Sequence, residues 1–273
     1  MIKLGCYPDV FQKDRFEAMS RAGYDFTEFP LENLLTMSDD EFIAFKRFLS
    51  HCRLEVIALP NPYPPAENIL SPTFDYKSYQ EKIKTEVFRA AELGCQYIIY
   101  AQGNVRMMPV FGKGIQEYRA KIMETLSLAA LTAAREGLGT LLELTSKNRT
   151  NFGNTLAEFV GIRAELGAPA IDTLCDLRHF MSAGEPFANL IVYKDYIKHL
   201  HIDYPYDVFP TRRFPTLADD FDYEPFFDTI AKMGYTGGLA VEARSYEDFP
   251  RQITEGLSFF QHFGLTPQSS GAA

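Results

Sequence analysis

A single repeating pattern limits the architectures open to this chain. A short run rich in β-branched and aromatic residues is followed by a longer stretch with apolar residues at three- and four-residue spacing, and this pair occurs eight times. The short runs, 2–7, 24–29, 54–60, 96–102, 139–144, 170–176, 197–203 and 237–242, have the length of buried strands. The intervening stretches, 11–22, 39–51, 76–93, 114–136, 154–166, 186–193, 223–233 and 246–263, read as amphipathic helices. Five of these stop at a glycine just before the next strand (Gly23, Gly94, Gly137, Gly167 and Gly234), where a left-handed residue ends a helix at little cost. Strand starts advance by about 34 residues per unit, the length of a βα unit in a parallel barrel, and eight such units close one. The expected fold is therefore α/β, a single (β/α)8 barrel over residues 1–263, followed by a flexible tail of small and polar residues, 264–273. A doubly wound open sheet is the rival. It ordinarily carries a glycine-rich phosphate loop after its first strand, whereas Cys6-Tyr7-Pro8-Asp9 stands there.

With 273 residues, 46% of them hydrophobic, the chain can bury a core of that size. Its 27 Lys and Arg against 36 Asp and Glu give a formal charge of −9, which repels polyphosphate and anionic lipid and weighs against nucleic-acid or membrane partners. No apolar run approaches the ~18 residues of a membrane span. The start, Met1-Ile2-Lys3-Leu4-Gly5, turns polar too soon for a signal peptide. Cys6, Cys52, Cys95 and Cys175 are far apart and lie in or beside apolar runs, so they are expected as buried free thiols in a reducing, cytoplasmic setting.

In such a barrel the chemistry belongs at the C-terminal ends of the strands. The segments 60–72, with five prolines, and 204–222 are the long loops expected to cover that face. Each of the last four predicted strands carries a potential ligand after apolar residues: Leu141-Leu142-Glu143, Leu174-Cys175-Asp176, His199-Leu200-His201 and Ala240-Val241-Glu242. Three carboxylates and an imidazole at one mouth are costly to bury without a compensating cation. Oxygen and nitrogen ligands without thiolate suit one divalent metal ion, Mn²⁺ before Mg²⁺ or Co²⁺. A lone Asp or Glu at a strand end commonly caps a helix or pairs with an arginine, whereas four in register on successive strands point to a functional site. His199 and His201 share one face of their strand. His201 lies nearer the mouth and is assigned as the ligand, with His199 an interior, hydrogen-bonded histidine. His179, three residues beyond Asp176, is expected to contact substrate, with a capping role as the bland alternative; His51 and His262 fall in helices and read as solvated.

These residues, together with Gly23-Tyr24-Asp25-Phe26-Thr27-Glu28, Asp176-Leu177-Arg178-His179 and Gly234-Tyr235-Thr236-Gly237-Gly238, resemble the xylose isomerase-like TIM barrel family. That family includes sugar isomerases, ketose 3-epimerases, inosose dehydratases and endonuclease IV, and the resemblance spans nearly the whole chain. In its ketose 3-epimerases, glutamates matching Glu143 and Glu242 bind the metal and form the acid/base pair, and an aspartate and histidine matching Asp176 and His201 complete the coordination. The resemblance thus implies an isomerase or epimerase that removes a proton beside a metal-polarised carbonyl of a ketose or keto-polyol, through an enediolate. A metal-dependent lyase acting on a keto-inositol or 3-keto glycoside begins with the same step and is the alternative; a non-catalytic sugar-binding protein is the remote one. The family's trinuclear endonucleases need further histidines, and the third and fourth strands end in Ala58-Leu59-Pro60-Asn61 and Tyr100-Ala101-Gln102-Gly103. Two family positions differ: Arg149 stands where the epimerases hold substrate with a second glutamate, and Asp207 where they carry an arginine. Arg149, Arg212, Arg213 and Arg244 are therefore candidates to face an anionic substituent, and Tyr7 resembles an aromatic substrate neighbour. The Phe-rich stretches around Phe226-Phe227 and 259–263 read mainly as core, with homo-oligomer contacts as the other use.

Overall fold

The computed structural model describes residues 1–8, 11–60, 69–101, 106–108, 114–206, 211–244 and 246–268. Most of the predicted loop 60–72, residues 207–210 of the loop 204–222, and the end of the predicted tail lie outside these residues, as do Asn61, Gln102, Gly103 and Asp207.

Among the described residues nine strands form one parallel sheet: β1 (Lys3–Cys6), β2 (Phe26–Thr27), β3 (Glu55–Val56), β4 (Ala58–Pro60), β5 (Tyr97–Tyr100), β6 (Gly139–Glu143), β7 (Asp172–Asp176), β8 (Ile197–Ile202) and β9 (Gly238–Val241). Their order is β3-β2-β1-β9-β8-β7-β6-β5-β4, so the two ends of the sheet are consecutive pieces of the segment predicted as the third strand. The break falls at Ile57, whose carbonyl accepts from the Gln96 and Tyr97 N–H groups at 2.9 and 3.0 Å. Ile57 and its neighbour Ala58 both join clusters inside the barrel, which an uninterrupted alternation does not allow. Before the break the strand pairs with β2, after it with β5. The eight-strand expectation therefore holds, with its third strand split.

Ten helices surround the sheet among the described residues: α1 (Lys13–Ala22), α2 (Glu32–Leu35), α3 (Asp39–Cys52), α4 (Tyr76–Glu92), α5 (Ile115–Arg135), α6 (Leu156–Leu166), α7 (Leu177–Ala183), α8 (Ala188–Val192), α9 (Glu224–Lys232) and α10 (Phe249–His262). Short side chains start several of them. Ser38 and Glu41 form a reciprocal capping box on α3, and Asp75, Thr155 and Asp248 each accept a backbone N–H at the start of α4, α6 and α10. The five predicted terminating glycines all have positive φ. Helix α7 is a correction to the sequence reading, which placed no helix between the strand ending at 176 and residue 186; it begins directly after β7, capped by Asp176 itself.

Alternation along the strands divides the core in two. Leu4, Leu142, Leu200, Leu239 and Val241 face the helices, while Phe26, Ile99, Leu141, Leu174 and Ala240 fill the barrel. The Phe26 ring occupies space left by glycine: a Cβ on Gly5 would lie 2.3 Å from its Cε2. Phe226, Phe227, Phe259 and Phe260 are buried, which agrees with their reading as core. All four cysteines are free and buried. No described helix is long and apolar enough to cross a membrane.

Candidate active site

The inward positions of the last four barrel strands carry the candidate ligands upward in register. On β6, Gly139, Leu141 and Glu143 follow one another on the inner face; on β9 the series Gly238 and Ala240 is continued by Glu242. Asp176 of β7 lies directly beside His201 of β8. As a result Glu143, Asp176, His201 and Glu242 each offer one ligand atom, and these atoms all lie within 4.8 Å of one another. All four residues are buried.

Electrostatics dominates this cluster. His201 Nδ1 sits 3.2 Å from Glu242 Oε2 and 3.8 Å from Glu143 Oε1, and both Nδ1 and Glu242 Oε2 are buried without a hydrogen bond. Burial alone would lower the His201 pKa, but Glu28, Glu143 and Glu242 outweigh it and hold the imidazole well above its ordinary range. Asp176 shows the opposite balance: burial would raise its carboxyl, and the Arg212 guanidinium holds it at about 2. Glu242 is likewise held well below the usual carboxylate range, by Arg212, His201 and Arg244 against the effect of burial.

Arg212 is the hub of this balance. Its Nη2 donates to Asp176 Oδ2 at 2.5 Å, its Nη1 lies 2.7 Å from Glu242 Oε2, and its Nε donates to Asp203 Oδ2 at 2.8 Å. Arg178 also binds Asp203, through Nε at 2.8 Å. The suggestion that Arg212 faces an anionic substituent is therefore corrected: the protein's own carboxylates engage its guanidinium. Arg213 is similarly engaged, with Nη1 2.6 Å from Asp219 Oδ1 and its guanidinium 3.6 Å from the Tyr204 ring centre.

The other sequence candidates occupy distinct places. Arg244 donates from Nη2 to Glu242 Oε1 at 2.9 Å, lies 5.4 Å from the Tyr7 ring centre, and remains 40% exposed, so it reaches from the cluster to the mouth. Tyr7 directly follows β1, and burial pushes its hydroxyl up to about 12 despite the nearby Arg244. His179 does not cap: Asp176 Oδ1 accepts the His179 backbone N–H at 3.0 Å, while the ring meets Ser146. The Ser146 N–H donates to His179 Nδ1 at 3.3 Å, so that nitrogen acts there as an acceptor. Arg149 is half-buried in the loop between β6 and α6, its backbone N–H on the Ser146 carbonyl.

Sequence reasoning gave no role to two buried residues near the cluster. Glu28, at the end of β2, accepts from His199 Nε2 at 2.5 Å and from His201 Nε2 at 3.0 Å. Its signal was the alternation Phe26, Glu28, the same inner-face pattern as Leu141, Glu143. Arg106 is fully buried and donates to the carbonyl of Glu143 at 3.1 Å, to that of Phe152 at 3.3 Å and to that of Ala101, fixing the backbone that carries one ligand. No local pattern marked it.

The donor set fits a divalent cation. Hard oxygen and nitrogen atoms converge, no thiol joins them among the described residues, and His201 Nδ1 is buried there without a hydrogen bond. The arrangement also sets two carboxylates from different strands beside one point, the minimum for moving a proton off and onto carbon.

The sequence model of the xylose isomerase-like TIM barrel family matches residues 16–263. No curated protein matches the sequence. Solved structures similar to this one include 3-keto-D-glucoside 4-epimerase YcjR from E. coli, at 18% identity and a TM-score of 0.79, covering 96% of this chain and 100% of that one. D-allulose 3-epimerase from Methylomonas sp. aligns at 17% identity with a TM-score of 0.77, covering 96% of each chain. A probable 3-DHS dehydratase, AsbF of Bacillus anthracis, aligns at 13% identity with a TM-score of 0.74, covering 95% of this chain and 99% of that one. At these identities the likeness is one of fold.

Proposed function

Because the chain belongs to the xylose isomerase-like TIM barrel family, we propose that it is a divalent-metal-dependent sugar isomerase or epimerase acting on a ketose or keto-polyol. The observation that carries this reading is the convergence of Glu143, Asp176, His201 and Glu242 within 4.8 Å at the C-terminal end of the barrel. These four residues would hold the ion. The ion, Mn²⁺ by preference, would supply Lewis-acid polarisation of a carbonyl and its neighbouring hydroxyl, which acidifies the C–H between them.

The chain's own groups do the rest. Glu143 and Glu242 approach from different strands: one carboxylate takes the proton, and its return by the other on the opposite face inverts the carbon, whereas return on the same face to the neighbouring carbon gives the isomer. The arginines keep Glu242 ionised and able to accept a proton. Arg212 also holds Asp176 and Glu242 at a fixed spacing. Tyr7, His179 and Arg244 contact the bound sugar at the mouth, and Arg149 reads its far end.

The test is turnover of a panel of free ketoses, keto-inositols and 3-keto glycosides by metal-reconstituted protein and by Glu143→Gln and Glu242→Gln. Wild-type conversion with an unchanged oxygen count, abolished in variants that still bind the sugar, supports the proposal. Loss of water or of an aglycone would make the protein a lyase, the reading that the dehydratase-like fold neighbour keeps open. Absence of turnover by wild type with every metal and substrate would leave a binding protein.

A further inference from the structure

Glu28 is fully buried, and a buried carboxylate is stable only if its charge is met. Among the described residues, its side-chain oxygens meet two imidazoles and nothing else: Oε1 takes His199 Nε2 at 2.5 Å, Oε2 takes His201 Nε2 at 3.0 Å. The two rings are two residues apart on the inner face of β8, nearly perpendicular, with centres 5.2 Å apart. One carboxylate therefore spans both. This fixes which nitrogen of His201 faces the cluster: with Nε2 turned to Glu28, Nδ1 is directed at Glu143 and Glu242.

His199 braces the arrangement. Its ring is fully buried beside Gly238, where a Cβ would come within 2.8 Å of Cε1, and it packs against Phe26. The ring has no room to turn away, so Oε1 is pinned and Oε2 is presented to His201 at a fixed angle.

We propose that Glu28 is a positioning residue of the metal centre, holding His201 with its Nδ1 lone pair toward the ion while His199 anchors the carboxylate. This rests on the metal-binding reading above. Outer carboxylates that orient a ligating histidine typically change metal affinity ~10–100-fold when removed.

The experiment compares Mn²⁺ affinity, by calorimetry or electron paramagnetic resonance, for wild type, Glu28→Gln and Glu28→Asp, with the thermal midpoint of each metal-free protein. Histidine ¹⁵N resonances of the Mg²⁺-loaded proteins report the His201 tautomer. The expected result is a 10–100-fold weaker Kd in Glu28→Gln, with a mixture of His201 tautomers in place of one. Glu28→Asp, whose carboxylate is too short to reach both rings, falls between; if Glu28→Gln does not fold, Glu28→Asp decides. A folded variant binding Mn²⁺ within twofold of wild type with an unchanged tautomer, whatever its thermal midpoint, reduces Glu28 to a packing role and overturns the inference. Wild type that binds no divalent ion overturns the metal-centre reading itself, a result distinct from the last.

Discussion

Replacing Gly238 by alanine tests whether the packed layer beneath the site supports the site. A Cβ at this position would lie 2.8 Å from His199 Cε1, 3.0 Å from His199 Nδ1 and 3.0 Å from Phe26 Cζ. Carbon atoms pack without strain at about 3.5–4.0 Å, so something must move by about half an ångström or more. His199 cannot retreat freely: it is fully buried and its Nε2 lies 2.5 Å from Glu28. Gly238 pairs with His199 in the register of β8 and β9, so the alternative is displacement of β9, which leads directly to Glu242. Overpacking of this kind costs about 1–3 kcal/mol. At roughly 2–4 °C per kcal/mol for a chain of this size, the metal-free thermal midpoint should fall by roughly 2–12 °C. Differential scanning calorimetry measures that shift, and Mn²⁺ titration of the folded variant should show weaker binding as the histidine–carboxylate clamp is disturbed. A variant with the wild-type midpoint and wild-type metal affinity would refute the packing argument, because the added methyl would then have found space that the barrel interior does not contain.

Three further outcomes follow from the same structure. Gly161 lies inside α6 with nothing within 4 Å of its Cβ direction, so Gly161→Ala should stabilise the protein by ~0.5–1 kcal/mol in a denaturation curve; a loss of stability would contradict the open space. In the metal-free protein the surrounding carboxylates keep His201 protonated above its ordinary range, so metal uptake at pH 7 should expel about one proton. Calorimetry in two buffers of different ionisation enthalpy checks this, and a buffer-independent heat would contradict it. Burial pushes the Cys95 thiol up to about 12, so the unfolded chain ionises it first as pH rises from its ordinary value toward 12, and stability should decline across that window rather than below it. The matching observation is that a thiol reagent at pH 8 leaves the four buried cysteines of the native protein unlabelled and reacts after denaturation; rapid native labelling would count against their burial.

Much of the architecture was readable because it rests on local chemistry. Helix-ending glycines such as Gly23, whose N–H satisfies the carbonyls of Met19 and Ser20, mark where each βα unit turns, and strand alternation tells which residues look inward. Glu143, Asp176 and Glu242 could be found because each stands two residues after an apolar inner residue (Leu141, Leu174 and Ala240) at the C-terminal end of its strand, and His201 because it lies nearer the mouth than His199. Glu28 satisfies the same rule, but it follows the second strand, outside the last four, where the search for ligands was made. Helix α7 was hidden because Asp176 serves twice, as candidate ligand and as the cap of that helix, and a reading that assigned it one role lost the other. Arg212 could not be placed from sequence. It comes from an irregular loop, and its three carboxylate partners, Asp176, Asp203 and Glu242, are supplied by separate parts of the chain whose meeting is a product of barrel closure.

The account's central claim is proton transfer at carbon beside a carbonyl, between Glu143 and Glu242. Its most direct test is incubation of the metal-reconstituted protein with its ketose or keto-polyol substrate in D₂O, followed by NMR of the recovered sugar after metal removal. The account predicts deuterium at one carbon next to the carbonyl, with the skeleton and oxygen count retained, and no incorporation with Glu143→Gln or Glu242→Gln. Conversion that proceeds with the original hydrogen fully retained on that carbon, or incorporation undiminished in both variants, would contradict it.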